Sequence, residues 1–308
     1  MSRTLSLRAA TAGVAILTFF SLSACSGSGS PAEPSGASSA SSALPAVSPD
    51  AALAGQVPQK FKSKGTLTVG ADASYAPNEF IAEDGKTVIG MDVDLVAAVS
   101  AKLGLKSEFQ NADFGTIILG VSSGKYDMGA SSFTINSERL QQVNMVQYLK
   151  AGTLWAVQKG NPKKVDPQNP CGLTVAVQKD TVQVDDLAAR DKKCTDAGKP
   201  AINQIVEVEQ SKATADLVSG KADAMLADSP VTSYAVEQSE GALETVGDIY
   251  DAAPYGLVFA KEDTEMAELV GKALGELKDD GSYQAILAKW GNASGAVSEF
   301  PVNPSVAG

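Results

Sequence analysis

Between about residues 65 and 292 the chain alternates short, β-rich apolar runs with stretches whose apolar positions recur at helical spacing. This constrains the fold more than any other feature, because strands interleaved with helices pack as α/β layers rather than as a sandwich or a bundle. Strands are predicted over 67–70, 105–109, 126–129, 153–157, 173–177, 205–208, 224–226 and 256–259. Helices are predicted over 116–122, 182–189, 211–219, 230–238, 264–279 and 282–290. Phe80-Ile81 and Val88-Ile89 flank Asp84-Gly85, a turn signal for a small hairpin. From Met91 to Leu103 the spacing is helical, with Asp92 and Asp94 where a helix start favours acid and Gly104 as the stop. There is no internal repeat.

The alternation does not extend to the first sixty residues. Arg3 and Arg8 precede an uncharged stretch over 9–22, about the length of a secretory core and too short to span a bilayer. The junction Leu22-Ser23-Ala24-Cys25 resembles the lipobox of bacterial lipoproteins, which implies cleavage before Cys25 and lipid on its thiol; the alternative is an ordinary signal with a chance cysteine. Residues 1–24 are read as the signal and 25–59 as a Ser/Ala/Pro/Gly leash with a span of roughly 30 Å. The folded part is expected to begin at about residue 60, with length enough for one large domain or two lobes.

Composition narrows the chemistry. Lys and Arg number 25 against 36 acids, and removing 1–24 takes away two arginines and no acid, so 25−2 basic groups remain and the charge moves from −11 to −13. Nucleic acid is therefore excluded as an expected partner. The chain contains no histidine, which removes the Ser-His and Cys-His nucleophile pairs and the commonest zinc ligand sets. With Cys25 assigned to lipid, Cys171 and Cys194 remain as an expected disulfide in an oxidising compartment, the alternative being two buried thiols.

The segment Gly90-Met91-Asp92-Val93-Asp94-Leu95 is close to a family signature, departing at Met91 and, further on, at Ser100. It is followed or preceded, in order, by Ala71 to Pro77, Asp113-Phe114, Ser132 to Arg139, Val175 to Gln178, Ala222-Asp223-Ala224 with Asp228, and Tyr255-Gly256. On these residues the chain over 67–290 resembles the periplasmic amino-acid-binding proteins of ABC importers, the bacterial extracellular solute-binding proteins of family 3. The resemblance implies an α/β, two-lobe periplasmic binding protein fold (type II) with two inter-lobe crossings. Lobe one would comprise 60–149 plus 254–292, lobe two 153–250, and 293–308 a C-terminal tail. The lobes would close on a free polar amino acid, basic or glutamine-like, that touches both. ABC permease and ATPase subunits are the implied partners of a monomer held at the bacterial cell membrane through Cys25, with no cofactor, metal or catalytic residue.

The chemistry of a free amino acid points to particular side chains. Its carboxylate needs a charged, planar fork, which Arg139 supplies, and its ammonium needs an anion, a role for which the resemblance implies Asp228. The resemblance sets Thr134 and Ser132 beside Arg139, and Tyr75 and Phe114 as rings about the ligand side chain. Thr181 follows Gln178 at a helix start, where backbone N–H groups favour an anion. Asp72, three residues before Tyr75, matches the aspartate of relatives that bind glutamine or basic amino acids; as a buried acid it would favour a ligand side chain bearing N–H groups. Ala227 is expected to leave room for a long one. Each residue also has a plainer role: Arg139 on the solvated surface, Asp228 or Thr181 at a helix start, Tyr75 and Phe114 in the core, Asp72 capping local backbone. Two other readings remain open, an enzyme of dehydratase type on this fold and a ligand-sensing adaptor.

Overall fold

The computed structural model describes residue 44 and residues 46–306. Eleven strands are described: β1 (Thr66–Ala71), β2 (Ser74–Tyr75), β3 (Glu79–Ile81), β4 (Val88–Ile89), β5 (Lys106–Asn111), β6 (Met128–Thr134), β7 (Asn144–Gln158), β8 (Thr174–Gln178), β9 (Asn203–Glu207), β10 (Ala224–Asp228) and β11 (Leu243–Phe259). Eight of them form one sheet in the order β5-β1-β6-β11-β7-β10-β8-β9, and β2, β3 and β4 form a small second sheet.

The large sheet is two half-sheets joined by a ribbon. On one side β5, β1 and β6 run parallel and β11 closes antiparallel on β6. On the other, β9, β8 and β10 run parallel and β7 closes antiparallel on β10. The strands β7 and β11 are long enough to serve both halves. Residues 144–149 of β7 pair with 255–259 of β11, 153–158 pair with 243–250, and Lys150 and Ala151 pair with Pro254 and Ala253 between them. Both crossings therefore lie side by side in one hydrogen-bonded ribbon with register shifts at its middle.

Helices cover the apolar faces of each half. In lobe one, Met91–Lys102, Thr264–Asp279 and Ser282–Lys289 bury Leu95, Val99, Leu269, Leu274 and Ile286 against Val69, Met128 and Leu257. The helix Met91–Lys102 starts where it does because Gly90, at φ 141°, lets the chain touch β3: a Cβ there would lie 2.2 Å from the Asn78 carbonyl oxygen. In lobe two, Val182–Asp196 packs Leu187 and Cys194 on Val175, Val177, Trp155 and Leu226.

Three expectations need correction or fall outside the described residues. The leash read as running to residue 59 is folded from Asp50 onward, in helices Ala51–Gln56 and Gln59–Lys64. Leu53, Val57 and Phe61, spaced four apart, are buried in the lobe-one core, and Asp50 accepts a capping bond from the Leu53 amide at 2.8 Å. The tail over 293–308 is bound to lobe one as far as it is described: Phe300 meets the Tyr283 ring edge-on at 5.2 Å, and the Asn303 side chain accepts from the Met145 amide at 2.8 Å. The signal over 1–24, the lipid site at Cys25 and the leash up to residue 43 lie outside the described residues.

Cys171 and Cys194 form a disulfide that joins the segment before β8 to the far end of the helix Val182–Asp196. The bonded cysteines are 23 residues apart, and a loop of that size restricts the unfolded chain enough to contribute about 3 kcal/mol. Reduction should lower the urea-unfolding free energy by that order, measured against the same protein left oxidised.

Candidate functional site

The strand ends of the two halves meet across a cleft, the usual place for a ligand in an open α/β sheet. From lobe one come Asp72 after β1, Tyr75 of β2, Ser132 and Thr134 of β6, Phe114 at the start of helix Phe114–Ser122, and Arg139 in helix Ser137–Gln142. From lobe two come Gln178 at the end of β8, Thr181 before helix Val182–Asp196, and Asp228 at the end of β10. Tyr75, Phe114, Ser132, Thr134, Arg139, Thr181 and Asp228 line one small cavity of about 10 Å3, together with Val182 and Gln183.

Five hydrogen bonds join the lobes there, one of them from the Asp228 amide to the Tyr75 hydroxyl at 3.4 Å. Tyr75 donates its hydroxyl to Asp228 Oδ2 at 2.8 Å, and Gln178 donates Nε2 to Asp72 Oδ2 at 2.8 Å. Arg139 donates Nη2 to the Asp180 carbonyl at 3.2 Å, and the Gln210 amide donates to Ser74 Oγ at 3.0 Å.

The Arg139 side chain is half-buried and held in place. Its Nη1 donates to the Thr134 carbonyl at 2.9 Å, and its guanidinium lies 5.3 Å from the Phe114 ring centre and 5.5 Å from that of Phe133. Asn136 caps the helix by accepting from the Arg139 amide at 2.8 Å, which fixes where the side chain begins. Burial lowers the proton affinity of the guanidinium and the nearby Asp228 opposes this, so it stays charged.

Asp228 is the residue before helix Ser229–Gln238, yet its side chain makes no capping bond to that helix. Its carboxylate instead accepts from Tyr75 and, at 2.8 Å, from Gln183 Nε2, which also reaches Thr153 Oγ1 at 3.0 Å. Burial raises its pKa above the ordinary carboxylate range, while the hydrogen bonds and the Arg139 charge pull the other way. Buried Tyr255 faces the same carboxylate with a hydroxyl that has no hydrogen-bond partner among the described residues.

Asp72 differs most from its expected role. Its carboxylate accepts from the Ser74 amide (3.1 Å), Ser74 Oγ (2.6 Å), the Phe114 amide (3.1 Å) and Gln178, so local backbone and lobe two already supply its donors. Asp72 and Gln178 clasp each other and are not among the residues that line the cavity. The unpaired polar atom of the clasp is Gln178 Oε1, a buried acceptor. Ala227 is buried in the lobe-two core with Tyr75 and does not line the cavity either. Phe114 stacks on Phe133 at 4.6 Å. Thr181 precedes its helix without a side-chain cap and donates its hydroxyl to the Gln178 carbonyl at 2.7 Å.

Over residues 67–293 the sequence matches the family described as bacterial extracellular solute-binding proteins, family 3. The chain belongs to that family. It is 38% identical over 296 residues, 96% of this chain and 95% of the relative, to the arginine-binding protein ArgT of Corynebacterium glutamicum. Among solved structures, an ancestral arginine-binding protein bound to arginine is 36% identical with a TM-score of 0.67, covering 73% of this chain and 98% of that one. The ancestral amino acid-binding protein AncCDT-1, a precursor of cyclohexadienyl dehydratase, is 32% identical with a TM-score of 0.65, covering 75% and 97%. The two-lobe α/β fold of this family 3 protein is the one its relatives share.

Sequence reasoning missed Gln183. It sits on the buried stripe of its helix with Leu187, four residues on, and a polar amide on an apolar stripe is the signal that could have found it. Gln183→Leu removes a donor from a buried carboxylate, which should cost on the order of 1–3 kcal/mol of ligand affinity by calorimetry. The melting temperature should fall far less than for a core truncation.

Proposed function

We propose that this family 3 protein is an extracytoplasmic receptor that captures a free basic amino acid, arginine foremost, between its lobes and delivers it to an ABC importer. The observation that carries the reading is that half-buried Arg139 from lobe one and buried Asp228 from lobe two line the same cavity, each already oriented by neighbours. An α-carboxylate would take the guanidinium fork and an α-ammonium the Asp228 carboxylate, so closure would be driven by a ligand carrying both charges. To enter, the ammonium takes over the Asp228 oxygen now bonded by Tyr75.

What supports a long, N–H-rich side chain is the pair of rings that line the cavity, Tyr75 and Phe114, whose faces suit an aliphatic stem or a guanidinium. The arginine-binding names of the relatives agree with it. The same reading includes the lipid tether at Cys25, whose Cys25→Ser variant should lose acyl labelling, and a monomer in solution. No bond of the ligand is made or broken.

The test is calorimetry with L-arginine, L-lysine, L-glutamine and L-glutamate, with recovery of the ligand afterwards. Arginine should bind most tightly, be recovered unchanged, and lose on the order of 2–5 kcal/mol of affinity in Arg139→Ala, because a buried ligand charge is left unpaired. Tightest binding of glutamate, or undiminished binding by Arg139→Ala, would overturn the assignment. Conversion of the ligand would favour the dehydratase-type reading.

A further inference from the structure

Two acids that the ligand does not touch lie together beneath the cleft. Glu79 comes from β3 and Asp92 from the first turn of helix Met91–Lys102, and both are fully shielded from solvent. Glu79 Oε1 accepts from Ser131 Oγ at 3.0 Å. Asp92 Oδ2 accepts from the Ser132 amide at 3.1 Å, Ser132 Oγ at 3.4 Å and the Tyr148 hydroxyl at 2.7 Å. The other oxygen of each, Glu79 Oε2 and Asp92 Oδ1, has no partner, and neither acid makes an ion pair among the described residues. The titratable groups that face them are Tyr148 of β7, Asp72 after β1 and Tyr75 of β2, none of them a cation.

Two adjacent carboxylates in a dry interior cannot both ionise without a compensating charge. The two side chains stand within hydrogen-bond reach of each other, so a single proton held between them satisfies both. We propose that Glu79 and Asp92 hold one proton between them and serve as positioning residues for Ser131 and Ser132, the end of β6 that floors the ligand cavity. Ser131 Oγ carries the link onward by accepting from the Asp72 amide at 3.0 Å. Ser132, which lines the cavity, sits at φ 51°, a conformation few side-chain-bearing residues adopt, and its amide is tied to Asp92. Its hydroxyl accepts from Asn78 Nδ2 at 2.9 Å, and Asn78 Oδ1 accepts from Asn292 at 2.9 Å. Tyr148, on the inter-lobe ribbon, is the third residue joined to the pair.

The pH dependence has a definite sign. Burial, reinforced by the neighbouring acid, raises Glu79 well above the ordinary carboxylate range, and burial raises Asp92 to about 6. The folded protein thus keeps a proton that the unfolded chain releases near about pH 4. Its contribution to stability is complete below that value and is lost as pH rises through the folded-state titration. Loss of the proton sets two charges against each other under Ser132, so ligand affinity falls over the same range.

Glu79→Gln tests this, because the amide keeps an acceptor for Ser131 and offers a permanent N–H toward Asp92. Asp92→Asn does the same from the other side and serves if the first variant fails to fold. On the full chain, the infrared carbonyl band of a protonated carboxylic acid at neutral pH should be weaker in either variant than in the parent. Above about pH 5 the parent's unfolding constant in urea should rise by up to tenfold per pH unit more than the variant's, until the shared proton is lost. L-arginine affinity should weaken with rising pH in the parent and hold level in the variants; this arm rests on the arginine reading above, while the other two need no ligand. An unchanged carbonyl band together with equal pH slopes in parent and variants would overturn the proposal, whatever arginine does.

Discussion

The pairing of β7 with β11 is the interaction on which the rest depends. Each strand belongs to both half-sheets, so one ribbon sets the spacing of the lobes, aims the strand ends of both at a common cleft and carries both crossings in hydrogen-bonded register. A ribbon can twist and bend where its register shifts, between Val246 and Tyr250 and between Tyr250 and Ala253, without giving up the pairing on either side. The motion available to the molecule is therefore a hinge about this ribbon rather than a separation of domains.

The cleft that the ribbon creates is lined and underlain mainly by acids. Asp72, Asp228, Glu79 and Asp92 are all buried at or under it, all with raised proton affinity, and Arg139 is the one cation shown to line the cavity. Desolvated acids are tolerated because each has neutral donors: Ser74, Phe114 and Gln178 for Asp72, Tyr75 and Gln183 for Asp228, Ser132 and Tyr148 for Asp92. A field of this sign attracts cations before any contact is made.

Much of this was legible in the sequence because the site is built at strand ends and helix starts, where apolar runs stop and polar residues follow. Thr181 could be placed in that way, while Ser132, Thr134 and Asp228 were placed by the family pattern that the residues flanking Arg139 resemble. What was not legible depends on tertiary partners. The leading helices were hidden by Ser/Ala/Pro-rich surroundings, and only the spacing of Leu53, Val57 and Phe61 betrayed them. The predicted strand over 153–157 begins at Asn144, since its first half is a strand of the other lobe. Asp92 looked like a surface acid favoured at a helix start; its neighbour Asp94 fills that outward position, bonded to Trp290, while Asp92 points inward.

Both ends of the described chain are fastened to the same jaw. The helices of residues 51–64 pack on lobe one, and so do Phe300 and Val302 at the other end. Any force or attachment transmitted through either end is therefore felt by lobe one, and lobe two, connected only through the ribbon and the cleft, is the part that swings. In mechanical terms the molecule is a clamp with one fixed jaw and one moving jaw. The moving jaw carries Asp228, so the anion of the pair travels to the ligand while the cation, Arg139, waits in place.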